Sequence, residues 1–206
     1  MRRDDRRRLL LAGAGVVGGM LLPTPLRAAL PTPQATAGPF YPAPAMRQVD
    51  DDADLVSIEG AVREAGGAVV FLSGRVLGRD SRPLPGARVE IWQCDANGRY
   101  LHPGDRGGPP RDAAFQGFGH AITAADGHYR FRTIRPVPYP GRAPHIHVRA
   151  IAPGRELTTQ FYIDGEPRNA ADFLWRRMSP AEAQAVAMRF AERGSGAPEA
   201  VIDIRL

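Results

Sequence analysis

Glycine and proline punctuate this chain so often that long helices have little room to form: 23 glycines and 20 prolines are spread through 206 residues. Between them lie short β-rich runs, a pattern that predicts a mostly β fold, a sandwich of short, mainly antiparallel strands. Val69 to Leu77 reads as one strand, Gly78 to Gly86 as a turn carrying Pro83 and Pro85, and Ala87 to Cys94 as the next strand, so these two are expected to pair as a hairpin. Asp126-Gly127 is a strong turn signal feeding His128 to Ile134, where Tyr129 and Phe131 fall on one face and Arg130 and Arg132 on the other. His145 to Ile151 and Leu157 to Ile163 are further strands joined by a Pro153-Gly154 turn. One C-terminal helix is expected. Ser179-Pro180-Ala181-Glu182 has capping-box spacing with proline at the first helical position, and Ala183, Val186, Ala187 and Phe190 follow at helical spacing before Gly194.

With 43% apolar residues the chain can bury the core of one domain. Residues 68–206 read as that domain, and residues 30–67, rich in proline and acidic residues without periodicity, read as an extended arm laid over it. Residues 1–29 read as an export signal of the twin-arginine type. Asp5-Arg6-Arg7-Arg8-Leu9-Leu10-Leu11 leads into an apolar run that ends near Leu22, and Ala28 and Ala29 are candidate cleavage positions. That run is too short and too glycine-rich for a comfortable bilayer span, so the membrane is met only during export and the destination is periplasmic or secreted. The formal charge is +5 and every basic residue is arginine, but five of the arginines lie within the first eight residues. The remainder is close to neutral, which gives a nucleic-acid partner little electrostatic support. Cys94 is the single cysteine, so stability cannot come from an intrachain disulfide.

The most informative stretch is Tyr139-Pro140-Gly141-Arg142-Ala143-Pro144-His145-Ile146-His147. Residues two apart on a strand share a face, so His145 and His147 present their imidazoles side by side while Ile146 and Val148 face the core. That is a metal-ligand geometry, although a His-x-His pair alone is a weak signal. Tyr139 stands shortly before the pair and Tyr100 just beyond the Asn97-Gly98 turn; taken singly, each reads as a core or rim residue, and it is their combination with the pair that matters.

In these residues the chain resembles the intradiol ring-cleavage dioxygenases, especially the iron-bearing chain of the protocatechuate 3,4-dioxygenases. The similarity runs from about Phe71 to Pro167 through Ile91-Trp92-Gln93, Gly98-Arg99-Tyr100, the run from Asp126 to Ile134, the run from Tyr139 to His147, and Thr159-Gln160-Phe161-Tyr162. The arm segment Thr32 to Phe40 is similar to N-terminal arms of the same family. The resemblance implies one non-haem iron(III) per chain with Tyr100, Tyr139, His145 and His147 as ligands. It implies a catechol-type substrate cleaved by O2 between its two hydroxyl-bearing carbons, with Tyr139 leaving the metal to help remove a substrate proton. Arg142 would lie against the substrate and stabilise negative charge on its ring, and Gln160 would stand close behind the ligands. Phenolate is a hard anionic donor that suits a ferric ion. Family members assemble into oligomers, which extends the expectation to a homo-oligomer here. Two departures concern the pocket: the loop from Tyr139 to His145 lacks a tryptophan-bearing insertion, and Ala143-Pro144 replaces the usual Pro-Ala order. The competing expectation is a non-catalytic, prealbumin-like β-sandwich binding module, suggested by the turn between Val76 and Val89 and distinguished by a colourless, iron-free protein.

Overall fold

A computed structural model describes residues 30–206 apart from 49, 107 and 195; the expected export signal lies outside the described residues. Ten strands form two five-stranded sheets. In the first, β1 (Val69–Leu77) is flanked on one edge by antiparallel β4 (His128–Ile134) and on the other by parallel β9 (Gly196–Val201) and β10 (Ile204–Arg205), with β8 (Phe190–Arg193) beyond β9. The second runs β3-β2-β5-β6-β7, built from Phe118–Ile122, Arg88–Trp92, His145–Ala152, Arg155–Ile163 and Ala187–Met188. The fold is the expected β sandwich, and its facing sheets bury Leu72, Val76, Phe131, Val89, Ile91, Ile146, Val148 and Phe161 between them. On β4 the alternation holds: Tyr129 and Phe131 are buried, Arg130 is exposed and Arg132 half-buried.

Two expectations are corrected. The runs now seen as β1 and β2 do not pair; they belong to different sheets. Both edges of β1 are already taken by β4 and by β9 and β10, and Pro83 and Pro85 remove two donors from the connecting turn. The turn folds back on β1 through Leu84 N–H to Val76 O (2.9 Å), and Gly86 N–H to Thr123 O (3.0 Å) then carries the chain across to the other sheet. The C-terminal helix is also shorter than its periodicity suggests. The capping box forms as expected between Ser179 and Glu182, but α1 covers only Pro180–Ala185. Val186, Met188 and Phe190 also fit a period of two, and Ala187–Met188 closes the open edge of β6 as a parallel strand, which buries Val186 and Met188.

Residues 30–67 lie along the sheets with little regular structure. Their path is tied by Thr32 N–H to Arg205 O and Ala35 N–H to Thr158 O, and Leu55 and Val56 are fully buried in the main core.

Candidate metal centre

The outer face of the second sheet carries the site. Register sets Trp92, His147 and Gln160 opposite one another across β2, β5 and β6, and sets His145 opposite Tyr162. Cross-strand partners share a face, so five polar or aromatic side chains meet there while Ile146 and Val148 fill the inter-sheet core. The Trp92 ring stacks almost parallel on His147, with centroids 4.9 Å apart and planes 9° apart.

Two turns deliver the tyrosines. Asp95, fully buried, accepts from the N–H groups of Asn97 (2.8 Å) and Arg99 (3.0 Å), bending the chain at Gly98 with φ +75°. Asp105 then accepts from Tyr100 N–H (2.6 Å) and from Arg99 Nε (3.1 Å), so the backbone of Tyr100 is gripped from both sides. Tyr139 opens a four-residue turn closed by Arg142 N–H to Tyr139 O (3.0 Å), with Pro140 in second place and Gly141 in third at φ +80°. A left-handed third residue after proline is the chemistry of a type II turn, and it brings Arg142 back beside Tyr139.

The rings of Tyr100, Tyr139, His145 and His147 form a closed circuit. Successive centroids lie 5.4 Å (Tyr100–Tyr139), 5.5 Å (Tyr139–His145), 4.7 Å (His145–His147) and 5.9 Å (His147–Tyr100) apart. His145 Nδ1 meets Ala143 O at 2.6 Å, which makes Nδ1 the protonated nitrogen and leaves the lone pair on Nε2. That Nε2 faces His147 Nε2 at 3.1 Å. Burial, and then the Arg142 cation, lowers the His145 pKa to about 4; burial, His145 and Arg142 hold His147 well below its usual value. Both imidazoles are neutral at pH 7 and free to donate lone pairs.

Tyr100 is 3% exposed, and its hydroxyl has no hydrogen-bond partner. The Tyr139 ring stands close by, edge-on to that of Tyr100. Burial, with Tyr139 and Cys94 adding to it, pushes the Tyr100 pKa far above the ordinary phenol value. His147 Nδ1 is likewise buried without a partner. A buried hydroxyl without a partner is costly unless something completes it, and its ring closes a circuit with a second phenol and two neutral imidazoles, so the four residues fit a metal ion. Among the described residues no three of His, Cys, Asp and Glu come together, so any such centre depends on the phenols.

Arg142 and Gln160 sit against this circuit. Arg142 donates to Gln160 Oε1 (2.6 Å), Tyr162 Oη (3.0 Å), Tyr139 Oη (3.3 Å) and Asp172 Oδ2 (2.8 Å). Gln160 donates from Nε2 to Thr36 O at 2.9 Å, binding the arm to the site. The arm also brings Gly38 over His147 and stacks Phe40 on Tyr100 at 4.9 Å. Asp172 and Tyr162 were not singled out from the sequence; only the tertiary fold brings Asp172 to Arg142 across 30 positions. Open cavities flank the cluster. One of about 540 Å³ is bordered by Phe40, Tyr100 and Tyr139, and one of about 610 Å³ by Thr36, Gln160, Tyr162, Phe173 and Leu174.

The fold and the match of a family model described as dioxygenase to residues 37–205 place the chain among the β-sandwich dioxygenases. It is 34% identical to the protocatechuate 3,4-dioxygenase beta chain of Burkholderia cepacia over 74% of this chain and 68% of that one. It is 33% identical to a catechol 1,2-dioxygenase of Acinetobacter baylyi, over 70% of this chain, and spans about half that enzyme's length (50%). Among solved structures, the dioxygenase domain of a dioxygenase carbohydrate-binding protein fusion from Streptomyces sp. SirexAA-E superposes with a TM-score of 0.63 at 37% identity, covering 85% of this chain and 97% of that one. The chain belongs to the intradiol ring-cleavage dioxygenase family. These relatives are enzymes, which favours the enzymatic expectation over the binding module.

Proposed function

We propose that this protein is a non-haem iron(III) dioxygenase that opens a catechol-type ring between its two hydroxyl-bearing carbons, inserting both atoms of O2, with one iron per chain held by Tyr100, Tyr139, His145 and His147. The observation that carries this is the closed circuit of two phenols and two neutral imidazoles, with the Tyr100 hydroxyl buried and unpaired. Bound ferric iron supplies Lewis acidity and a template for the catecholate oxygens. The chain's residues supply the rest. Tyr100 and His147 are buried, whereas Tyr139 is half-buried, so as a tyrosinate its oxygen would be the one to take a proton from a catechol hydroxyl. Arg142 sets a permanent planar cation beside that oxygen, suited to negative charge building on the ring. Gln160 holds the guanidinium from below and ties it to the arm.

The short loop between Tyr139 and His145 and the cavity of about 610 Å³ beside Gln160 leave room for a ring substituent, so the substrate class is substituted catechols. Incubation of the iron-loaded protein with catechols under labelled oxygen tests this. The expected product is a ring-opened dicarboxylate carrying label on both new oxygens; a semialdehyde from cleavage beside the hydroxyls, or no consumption, overturns the proposal. Export is part of the same reading, supported by the arginine-rich N-terminus and the apolar run behind it. The mature protein is expected in the periplasmic or extracellular fraction without residues 1–29, and full-length protein kept in the cytoplasm refutes that.

A further inference from the structure

Arg142 has five N–H donors, and four of them are already committed: one at Nε to Asp172, two at Nη2 to Gln160 and Tyr162, and one at Nη1 to Tyr139. One Nη1 donor is left, and its direction depends on how the plane of the guanidinium is held. Gln160 and Tyr162 grip a single corner of that plane, Nη2. The adjacent Nε–H, on the same edge of the plane as one Nη2 hydrogen, is held by Asp172 alone.

Asp172 is itself immobile. Its side chain is fully buried, and both oxygens are saturated: Oδ2 accepts from Arg142 Nε (2.8 Å) and Ala143 N–H (3.0 Å), and Oδ1 accepts from Leu174 N–H (2.9 Å) and Trp175 N–H (3.2 Å). Burial works against the charged form, but Arg142 and the Ala143 N–H outweigh it and hold the carboxyl below its usual range. The same carboxylate thus fixes the guanidinium and the backbone just before Pro144 and His145, bracing the short loop between Tyr139 and His145.

We propose that Asp172 is a positioning residue for ring cleavage: it acts through Arg142, fixing the plane of the guanidinium beside Tyr139. The inference rests on the proposed role of Arg142 and adds a residue outside the donor circuit. Removing the carboxylate leaves Nε without its acceptor, so the plane can turn about its Nη2 contacts, and leaves a cation that is only 11% exposed without its counter-charge.

The test compares wild type, D172N, R142Q and R142Q/D172N, each iron-loaded, by steady-state turnover of catechol and by anaerobic titration of the visible band with catechol. In D172N the expected result is a fall in kcat of about 10- to 100-fold, the range for losing a residue that orients a catalytic group. KM and the anaerobic band shift should stay close to wild type. In the R142Q background D172N should add nothing, because a residue acting through Arg142 has nothing left to position. Wild-type kcat in D172N, or losses that multiply in the double variant, overturns the inference. If D172N does not fold, R142Q/D172L, which replaces the buried pair with uncharged groups, is compared with R142Q: equal kcat supports the positioning role and a further fall overturns it. Wild-type protein that neither colours nor turns over refutes the reading of the site itself, and the role of Asp172 with it.

Discussion

Replacing Tyr100 by phenylalanine should move metal-free and metal-loaded protein in opposite directions. In the metal-free chain the Tyr100 hydroxyl is buried without a partner, and leaving such a group unpaired costs about 1–3 kcal/mol of desolvation. Tyr100→Phe removes that cost while keeping the ring that stacks on Phe40. Metal-free Y100F should therefore melt higher than metal-free wild type, by about 2–4 °C for each kcal/mol recovered in a domain of this size. Tyr129→Phe is the internal control. Its hydroxyl donates to Ile202 O at 2.7 Å, so its removal strands a buried carbonyl and should lower the melting temperature by a comparable amount. Iron-loaded wild type gains stability by mass action, and Y100F should lose most of that increment together with its colour. The assay is calorimetry of both variants with and without iron. A metal-free Y100F that melts lower than wild type, as Y129F does, would refute the idea that the Tyr100 hydroxyl is kept unpaired for a ligand.

Acid should destabilise the metal-free protein. The His145 pKa is about 4 when folded against 6.5 when unfolded, so between those values the unfolded chain binds a proton that the folded chain refuses, and stability falls as pH drops, by about 3 kcal/mol in all. His147 acts in the same direction. Urea midpoints at pH 7 and pH 4.5 measure this, and a loss just as large in H145N would contradict it. Gly38→Ala places a side chain on a residue at φ +70°, with the new Cβ 3.3 Å from His147 Cε1; a cost of about 1 kcal/mol and slower turnover are expected, and wild-type values in both would show that the arm does not seat on the histidine. Cys94 is buried with its thiol pKa pushed up to about 12, first by burial and then by Asp95, so thiol reagents should label it only upon unfolding; rapid labelling of native protein would contradict the packing around Trp92.

Much of the sheet that carries the site is legible in the chain because its signals are local. Alternation and a Pro-Gly turn mark β5 and β6, and the two-residue spacing of His145 and His147 sets both imidazoles on one face. Partner choice is not local. The runs of β1 and β2 read as strands, but nothing within them records that β4, β9 and β10 occupy both edges of β1. Val186, Met188 and Phe190 satisfy the helical and the extended periods at once, and the open edge of β6 decides between them. At the site, Tyr100 and Tyr139 stand out only by resemblance, since a tyrosine near a turn is more often a core or rim residue. Asp172 carries no motif; its contact with Arg142 exists because the 3-10 turn at Pro167–Ala171 steers the chain back over the loop before His145.

The most direct test is the visible spectrum and metal content of the purified protein, recorded under air before and after catechol is added. Tyrosinate-bound ferric iron predicts close to one iron per chain and a broad visible band that shifts on adding catechol, followed by loss of the aromatic substrate. A protein that stays colourless after reconstitution with iron, or one whose band ignores catechol, would contradict the assignment of Tyr100, Tyr139, His145 and His147 as its ligands.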